Sequence, residues 1–310
     1  MRIREPGKIR DNLWYLGCKE SGVYLLEGRD ESMLISGGMS YLVSILLRQF
    51  REFGRDQERI TKILILHAHF DHVGIVPFFN RSFPDLMVYA SAQAWERLHM
   101  PEAIETINAF SRSVTQRMGM LEACSAYDLN WRDDISGITV SEGQHIDLGD
   151  MEVHIFETPG HSSCSISAYT PKLKALFPSD AGGVPYEQTI ITSGNSNYTK
   201  FQQSLERLNS LEVDYLCADH YGYVVGHEAR NFIAHAIELA KEHRNKMEYM
   251  YRRTKDVNIA ASKMTSSIYD AHPDYFLSSE VLEGVYRQMM RHIANCMEQS
   301  PNRRRTTHPG

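Results

Sequence analysis

The stretch ILILHAHFDHVG, residues 63–74, places three histidines and an aspartate within six positions, directly after four aliphatic residues. KILIL (62–66) reads as a strand buried on both faces, because it is uniformly aliphatic and flanked by helical patterns. Residues i and i+2 of an extended chain point the same way, so His67 and His69 are expected to reach one ion together. Asp71 and His72 come where the chain turns into a helix near Gly74, and face a second ion beside the first. H-x-H-x-D-H is expected by chance on the order of once in a thousand chains of this length and composition. Its place at the carboxyl end of a buried strand is where α/β proteins put their ligands.

Around this motif the chain alternates between β-rich blocks and helices. Strands are expected at 12–17, 23–28 and 32–37, and a helix at 40–54, with Ser40 as its cap, Gly54 at its end and apolar residues 42, 46, 50 and 53 on one stripe. A second β-rich block runs from about 138 to 177, and TKFQQSLERLNS leads from it into VDYLCAD. Between the blocks, residues 101–121 carry apolar side chains at 104, 107, 110, 114, 118 and 121, a helical seam with Pro101 in the first turn. Two halves, each a sheet with helices outside, predict an α/β fold of the four-layer αββα sandwich kind with additional C-terminal helices. The expected organisation is 1–226 as the catalytic domain, with a helical insertion at about 91–122, then 227–298 as a helical lid or cap and 299–310 as a disordered tail.

Composition bounds the chemistry. The formal charge of −6 over 310 residues argues against non-specific nucleic-acid binding, which needs a basic footprint. The charged opening MRIREPGKIR and the lack of a long apolar run predict a cytoplasmic protein with no membrane span. The five cysteines are scattered, without a C-x-x-C pair, so neither a disulfide framework nor a thiolate metal site is expected. The basic residues around Lys241, His243, Arg244 and Lys246 read as the solvated face of a long helix. His99, His145, His154, His235, His243, His272, His292 and His308 lack ligand spacing and read as surface or core residues, while His227 lies one loop from His220.

Two ions need about seven protein ligands, so others should lie at further strand ends. His161 in ETPGHSS, Asp180 in LFPSDAGG and His220 in LCADHYG meet that requirement. Asp219 and Glu157 are candidates to orient the imidazoles from behind. The seven residues together resemble the metallo-β-lactamase superfamily, whose pattern is H-x-H-x-D-H followed by a histidine, a bridging aspartate and a last histidine. The resemblance covers roughly residues 10–226. It implies His67, His69 and His161 on one ion, Asp71, His72 and His220 on the other, and Asp180 between them, and it implies the αββα fold as well. A carboxylate at 180 among imidazoles suits zinc, iron or manganese. The β-lactamases proper carry a cysteine at that step.

Within the superfamily the chain is most similar to the quinolone-signal thioesterase type, which hydrolyses an aminobenzoylacetyl-CoA-like thioester; SDAGG, the SLERL helix and the helical carboxyl region carry that likeness. The expected activity is hydrolysis of an acyl ester or thioester, an acyl-CoA-type thioester among them, by hydroxide bridging two divalent ions, with Asp71 and His72 as catalytic residues. Gly183 and Tyr221 are expected at the substrate. Alternatives are a phosphodiesterase, an iron-dependent sulfur dioxygenase, a lactonase, which typically has Tyr where Gly183 stands, and a metal-stabilised binding or regulatory protein. The C-terminal helices are expected to serve as a lid, a cover for a sheet edge or a homodimer surface.

Overall fold

The computed structural model describes residues 1–273 and 277–299. Of the expected tail, residues 300–310 lie outside the described residues, His308 among them. The chain opens with β1 (Arg2–Ile3) and then lays down β2 (Gly7–Arg10), β3 (Leu13–Cys18), β4 (Ser21–Glu27) and β5 (Ser32–Ile35) as an antiparallel meander. Helix α1 (Leu42–Glu52) crosses to β6 (Ile60–Leu64) and α2 (Val76–Ser82) to β7 (Met87–Ala90), both strands joining in parallel. The inserted helices α3 (Ala92–Leu98), α4 (Pro101–Arg117) and α5 (Leu121–Cys124) precede β8 (Ile138–Thr139), and the sheet runs β2-β3-β4-β5-β6-β7-β8.

The second half holds β9 (His145–Asp147), β10 (Glu152–Glu157), β11 (Ile166–Thr170) and β12 (Ala175–Phe177), then a small hairpin of β13 (Val184–Tyr186) and β14 (Thr189–Ile191). Helix α6 (Tyr198–Leu208), β15 (Tyr215–Cys217), β16 (Tyr223–Val225), α7 (His227–Thr254), α8 (Val257–Ala271) and α9 (Ser279–Glu298) complete it. This sheet runs β1-β16-β15-β12-β11-β10-β9, so the first strand of the chain closes the edge of the second half.

Period-two alternation sorts the side chains into layers. On β3, Leu13 and Tyr15 face the other sheet while Trp14 and Leu16 face the helices; along residues 63–66, Leu64 and Leu66 point inward and Ile63 and Ile65 outward. Sheet packs on sheet through Tyr24, Leu26, Ile155, Ile166 and Phe177. Helices α1 to α4 cover the outer face of the first sheet, and α6 to α9 that of the second, which makes four layers, αββα. No helix among the described residues is long and apolar enough to cross a membrane.

Several local expectations change. Ser40 does not cap α1: Tyr41 precedes the helix, and the Ser40 hydroxyl lies 3.2 Å from Thr115 Oγ1, tying α1 to α4. The seam on α4 is only half used. Ile107 and Val114 are buried, whereas Phe110 and Met118 are 45% and 41% exposed, and Leu121 beyond the helix is 49% exposed. Residues 138–139, expected to open the second block, form the last strand of the first sheet instead, because β8 pairs with β7.

Candidate metal centre

The first half delivers its candidates from one turn. The ladder of β6 stops at Leu64, His67 and His69 follow, and Phe70–His72 form a 3-10 turn. His67 Nε2 lies 3.1 Å from His69 Nδ1, so the two rings reach a common point through different nitrogens, not as parallel side chains of a strand. The expected helix after His72 begins only at Val76. The intervening N–H groups of Gly74 and Ile75 donate to Gly38 and Gly37 carbonyls at 2.8 and 2.9 Å, so they do not point at a substrate.

The second half delivers its candidates from three separate loops. His161 follows Gly160, whose φ of +138° and contact with Phe201, 2.2 Å from where a Cβ would stand, leave room only for glycine. Asp180 sits in a 3-10 turn, Ser179–Gly182, entered through Ser179 at φ +49°. His220 lies between β15 and β16 in a loop sewn to the first half. Tyr24 Oη donates to the Ala218 carbonyl at 2.6 Å, and Gly22 N–H to that of Asp219 at 2.7 Å. Gly222 closes the loop at φ +85°, where a Cβ would stand 1.9 Å from the Ile3 carbonyl.

Hydrogen bonds behind the rings set their tautomers. His161 Nδ1–H donates to the Ser193 carbonyl at 2.9 Å, and His220 Nδ1–H to that of Glu20 at 2.7 Å. His72 Nδ1 is 2.8 Å from the buried carboxylate of Asp219. The same Asp219 oxygen accepts the Ser179 hydroxyl at 2.5 Å, and Ser179 Oγ in turn accepts from His67 Nδ1 at 3.2 Å. With every far nitrogen engaged, the Nε2 atoms of His67, His72, His161 and His220 face one space.

The spacing in that space fits metal ligation. Two ligands on a tetrahedral ion with bonds of about 2.0–2.2 Å lie about 3.3–3.6 Å apart. Nε2 of His161 is 3.1 Å from His69 Nδ1 and 3.4 Å from Asp180 Oδ2. Nε2 of His72 is 3.2 Å from that of His220 and 3.6 Å from Asp180 Oδ2, and Asp71 Oδ2 is 3.6 Å from His72 and 3.5 Å from His220. Lone pairs that meet this closely repel one another unless a cation lies between them. Asp180 Oδ1, buried, has no hydrogen-bond partner among the described residues, which also fits a bound cation.

Electrostatics point the same way. Burial and the neighbouring imidazoles hold His67 well below the usual histidine range, and burial with His161 beside it pushes His69 down to about 3. His72 is the exception: burial acts against its charged form, but Asp71, Asp180 and Asp219 outweigh it and raise its pKa well above normal, so its Nε2 holds a proton that a bound cation would displace. Asp180 stays ionised, since His72, His220 and His161 overcome the cost of its burial.

The centre opens into a cavity of about 700 Å³ that runs between the two halves. Its floor includes His69, Asp71, His161, Asp180 and His220, and its walls are Ile107 and Phe110 of α4 and Leu282, Val285 and Met289 of α9. His243, read from sequence as part of a solvated basic face, lines this cavity instead. Its Nδ1–H donates to the Thr192 carbonyl at 3.0 Å, Tyr286 Oη donates to its Nε2 at 3.1 Å, and burial pushes its pKa down to about 4. Arg244 likewise turns inward, to Thr199 Oγ1 and Gln202 Oε1, each at 3.0 Å.

Gly183 and Tyr221 are not among the residues that line the cavity. Gly183 takes φ +86° under Ile190, and Tyr221, 5% exposed, packs edge-on against Tyr186 at 5.2 Å, so both shape the backbone behind the centre. Asp219 stands behind the imidazoles as expected; Glu157 is exposed and its N–H donates to Glu142. Ser179 and His243 carry no motif that would single them out in sequence.

A family model described as the metallo-beta-lactamase superfamily matches residues 17–220. An acyl-coenzyme A thioesterase of Homo sapiens, MBLAC2, is 27% identical over 185 residues, which span 57% of this chain and 63% of that relative's length. A hydroxyacylglutathione hydrolase of Legionella pneumophila (strain Paris) is 26% identical over 125 residues, 40% of this chain and 35% of its own. Among solved structures, a metallo-beta-lactamase family protein from Thermus thermophilus superposes with a TM-score of 0.67 at 17% identity, covering 94% of this chain and 95% of its own.

Proposed function

The chain belongs to the metallo-β-lactamase superfamily, and from that premise we propose that it is a metal-dependent hydrolase of acyl thioesters, acyl-CoA-type thioesters foremost. The observation that carries this reading is the junction of the seven-residue centre with an apolar cavity. An acyl group lying between α4 and α9 brings its carbonyl to the floor where His69, Asp71, His161, Asp180 and His220 converge. The names of the relatives support it, since the human protein is called an acyl-coenzyme A thioesterase and the bacterial one a hydroxyacylglutathione hydrolase.

His67, His69 and His161 would hold one ion and Asp71, His72 and His220 a second, with Asp180 shared between them. Bound divalent ions supply Lewis acidity toward a carbonyl oxygen and toward water. The residues do the rest. Asp71, between His72 and His220, accepts and orients a proton of the attacking water. Asp219 holds His72 directly and His67 through Ser179, so both rings turn Nε2 toward the centre, where a bound ion would take the place of the His72 proton. The apolar walls exclude bulk water from the acyl group, and the Tyr286–His243 pair is one polar group of the lining that a hydroxyl or keto substituent of the acyl chain would meet.

The test is turnover of the metal-replete protein on acyl-CoA and acyl-glutathione thioesters, with bis-p-nitrophenyl phosphate alongside. Thioester cleavage that disappears after chelation and returns with added metal is expected. No thioester turnover at full metal occupancy, or faster cleavage of the phosphodiester, overturns the proposal.

A further inference from the structure

Away from the cavity, at the edge of the second sheet, β9 and β10 form a hairpin whose register sets His145 opposite His154 and Asp147 opposite Glu152. Directly opposed residues share a face, and so do residues two apart on one strand, so all four side chains stand on the same side. Ile146 and Val153 alternate with them and enter the inter-sheet core at 5% and 0% exposure, which holds the face outward. The turn is fastened as well. Leu148 N–H donates to the Met151 carbonyl at 2.9 Å, Gly149 N–H to Asp147 Oδ1 at 2.8 Å, and Arg29 N–H to Asp150 Oδ1 at 2.7 Å.

On this face the His145 and His154 rings lie parallel, 3.8 Å between centroids and 8° between planes. Glu152 Oε2 sits 3.3 Å from His154 Nε2 and 3.8 Å from His145 Nδ1. Those separations bracket the spacing of two ligands on one small ion, about 3.3–3.6 Å. The three side chains are 48%, 26% and 58% exposed for His145, His154 and Glu152, which leaves water to complete a coordination shell.

We propose that His145, Glu152 and His154 form a second metal site, separate from the centre in the cavity, that takes a divalent ion of the zinc class. Two imidazole nitrogens with one carboxylate oxygen favour such ions over magnesium or calcium, which prefer all-oxygen shells. The ligands stand on a hairpin whose backbone is already held, so binding requires only that the stacked rings turn about their side-chain torsions until their nitrogens converge. Two exposed ligands and one half-buried one make the site weaker than the buried centre. An ion here clamps the edge strand β9 to β10, and β10 runs on into the loop carrying His161.

Equilibrium dialysis of the metal-replete protein at roughly micromolar free zinc reads the site directly. Wild type is expected to retain one more zinc per chain than His145→Ala or His154→Ala, and Glu152→Gln to weaken that binding while preserving side-chain shape. Added zinc should raise the thermal midpoint of wild type more than that of any of the three variants. Unchanged circular dichroism and unchanged retention of the cavity metal show that the variants are folded. Equal zinc content in wild type and both histidine variants overturns the proposal.

Discussion

Four of the converging side chains, His67, His69, Asp71 and His72, come from six consecutive residues behind β6, whereas His161, Asp180 and His220 come from three loops of the second sheet. Short-range geometry suffices for the first group: a strand end and a 3-10 turn keep its members together. Of the second group, His220 is placed by contacts between the halves, through Tyr24 to Ala218, Gly22 to Asp219 and His220 to Glu20, while His161 is held within its own half by the Ser193 carbonyl. The centre is therefore contiguous on one side and assembled on the other, and its integrity depends on how the two sheets are sewn.

The largest expected effect tests whether the sides are equivalent once assembled. His72→Ala and His220→Ala should each reduce thioester turnover to background and lower bound metal in elemental analysis, because each opens the same cluster. Wild-type turnover in His220→Ala alone would break the equivalence. A smaller loss, roughly 10–100-fold in metal affinity or turnover, is expected for Asp219→Asn, which leaves all seven candidates in place but loosens His72 and Ser179. Competition with a chromophoric chelator measures it. Tyr24→Phe removes one stitch between the halves and leaves a buried carbonyl less satisfied, which should cost about 1–3 kcal/mol of stability by denaturant titration.

The smallest effect concerns the cavity wall, and its sign follows from proton counting. His243 has a folded-state pKa of about 4, below the ordinary value of 6.5. Between those values the unfolded chain binds more protons than the folded one, so stability falls as pH drops through that window and levels off below it. His243→Gln should flatten this part of the stability-versus-pH curve; an unaltered slope would place the proton uptake elsewhere.

Much of the fold was legible because its signals are local. The β-rich runs at 12–17 and 23–28, the uniform aliphatic run before His67 and the Pro101 start of α4 all survive in the structure, with strand ends displaced by one or two residues. The seam on α4 misled where Phe110 turns to the cavity and Met118 stays exposed, since periodicity records an apolar face and not what covers it. Ser40 misled because its hydroxyl finds Thr115, seventy-five positions away, instead of its own helix. His243 and Arg244 looked like solvated cations because nothing in their helical neighbourhood reveals that α9 and the loop before α6 pack over the first and α6 itself over the second.

The sequence by itself determined the chemistry available: seven imidazoles and carboxylates after strand ends, no thiolate among them, and two sheets' worth of β-rich runs. Those features rest on residue type and short spacing, which a linear chain displays. Only the tertiary structure decided which nitrogen of each ring faces the centre, that Asp219 and Ser179 hold two of them, that Gly183 and Tyr221 stand behind it, and that an apolar cavity meets it. Each of these depends on atoms far apart in the chain brought within about 3 Å, a distance that hydrogen bonding and burial enforce only after the two halves have packed.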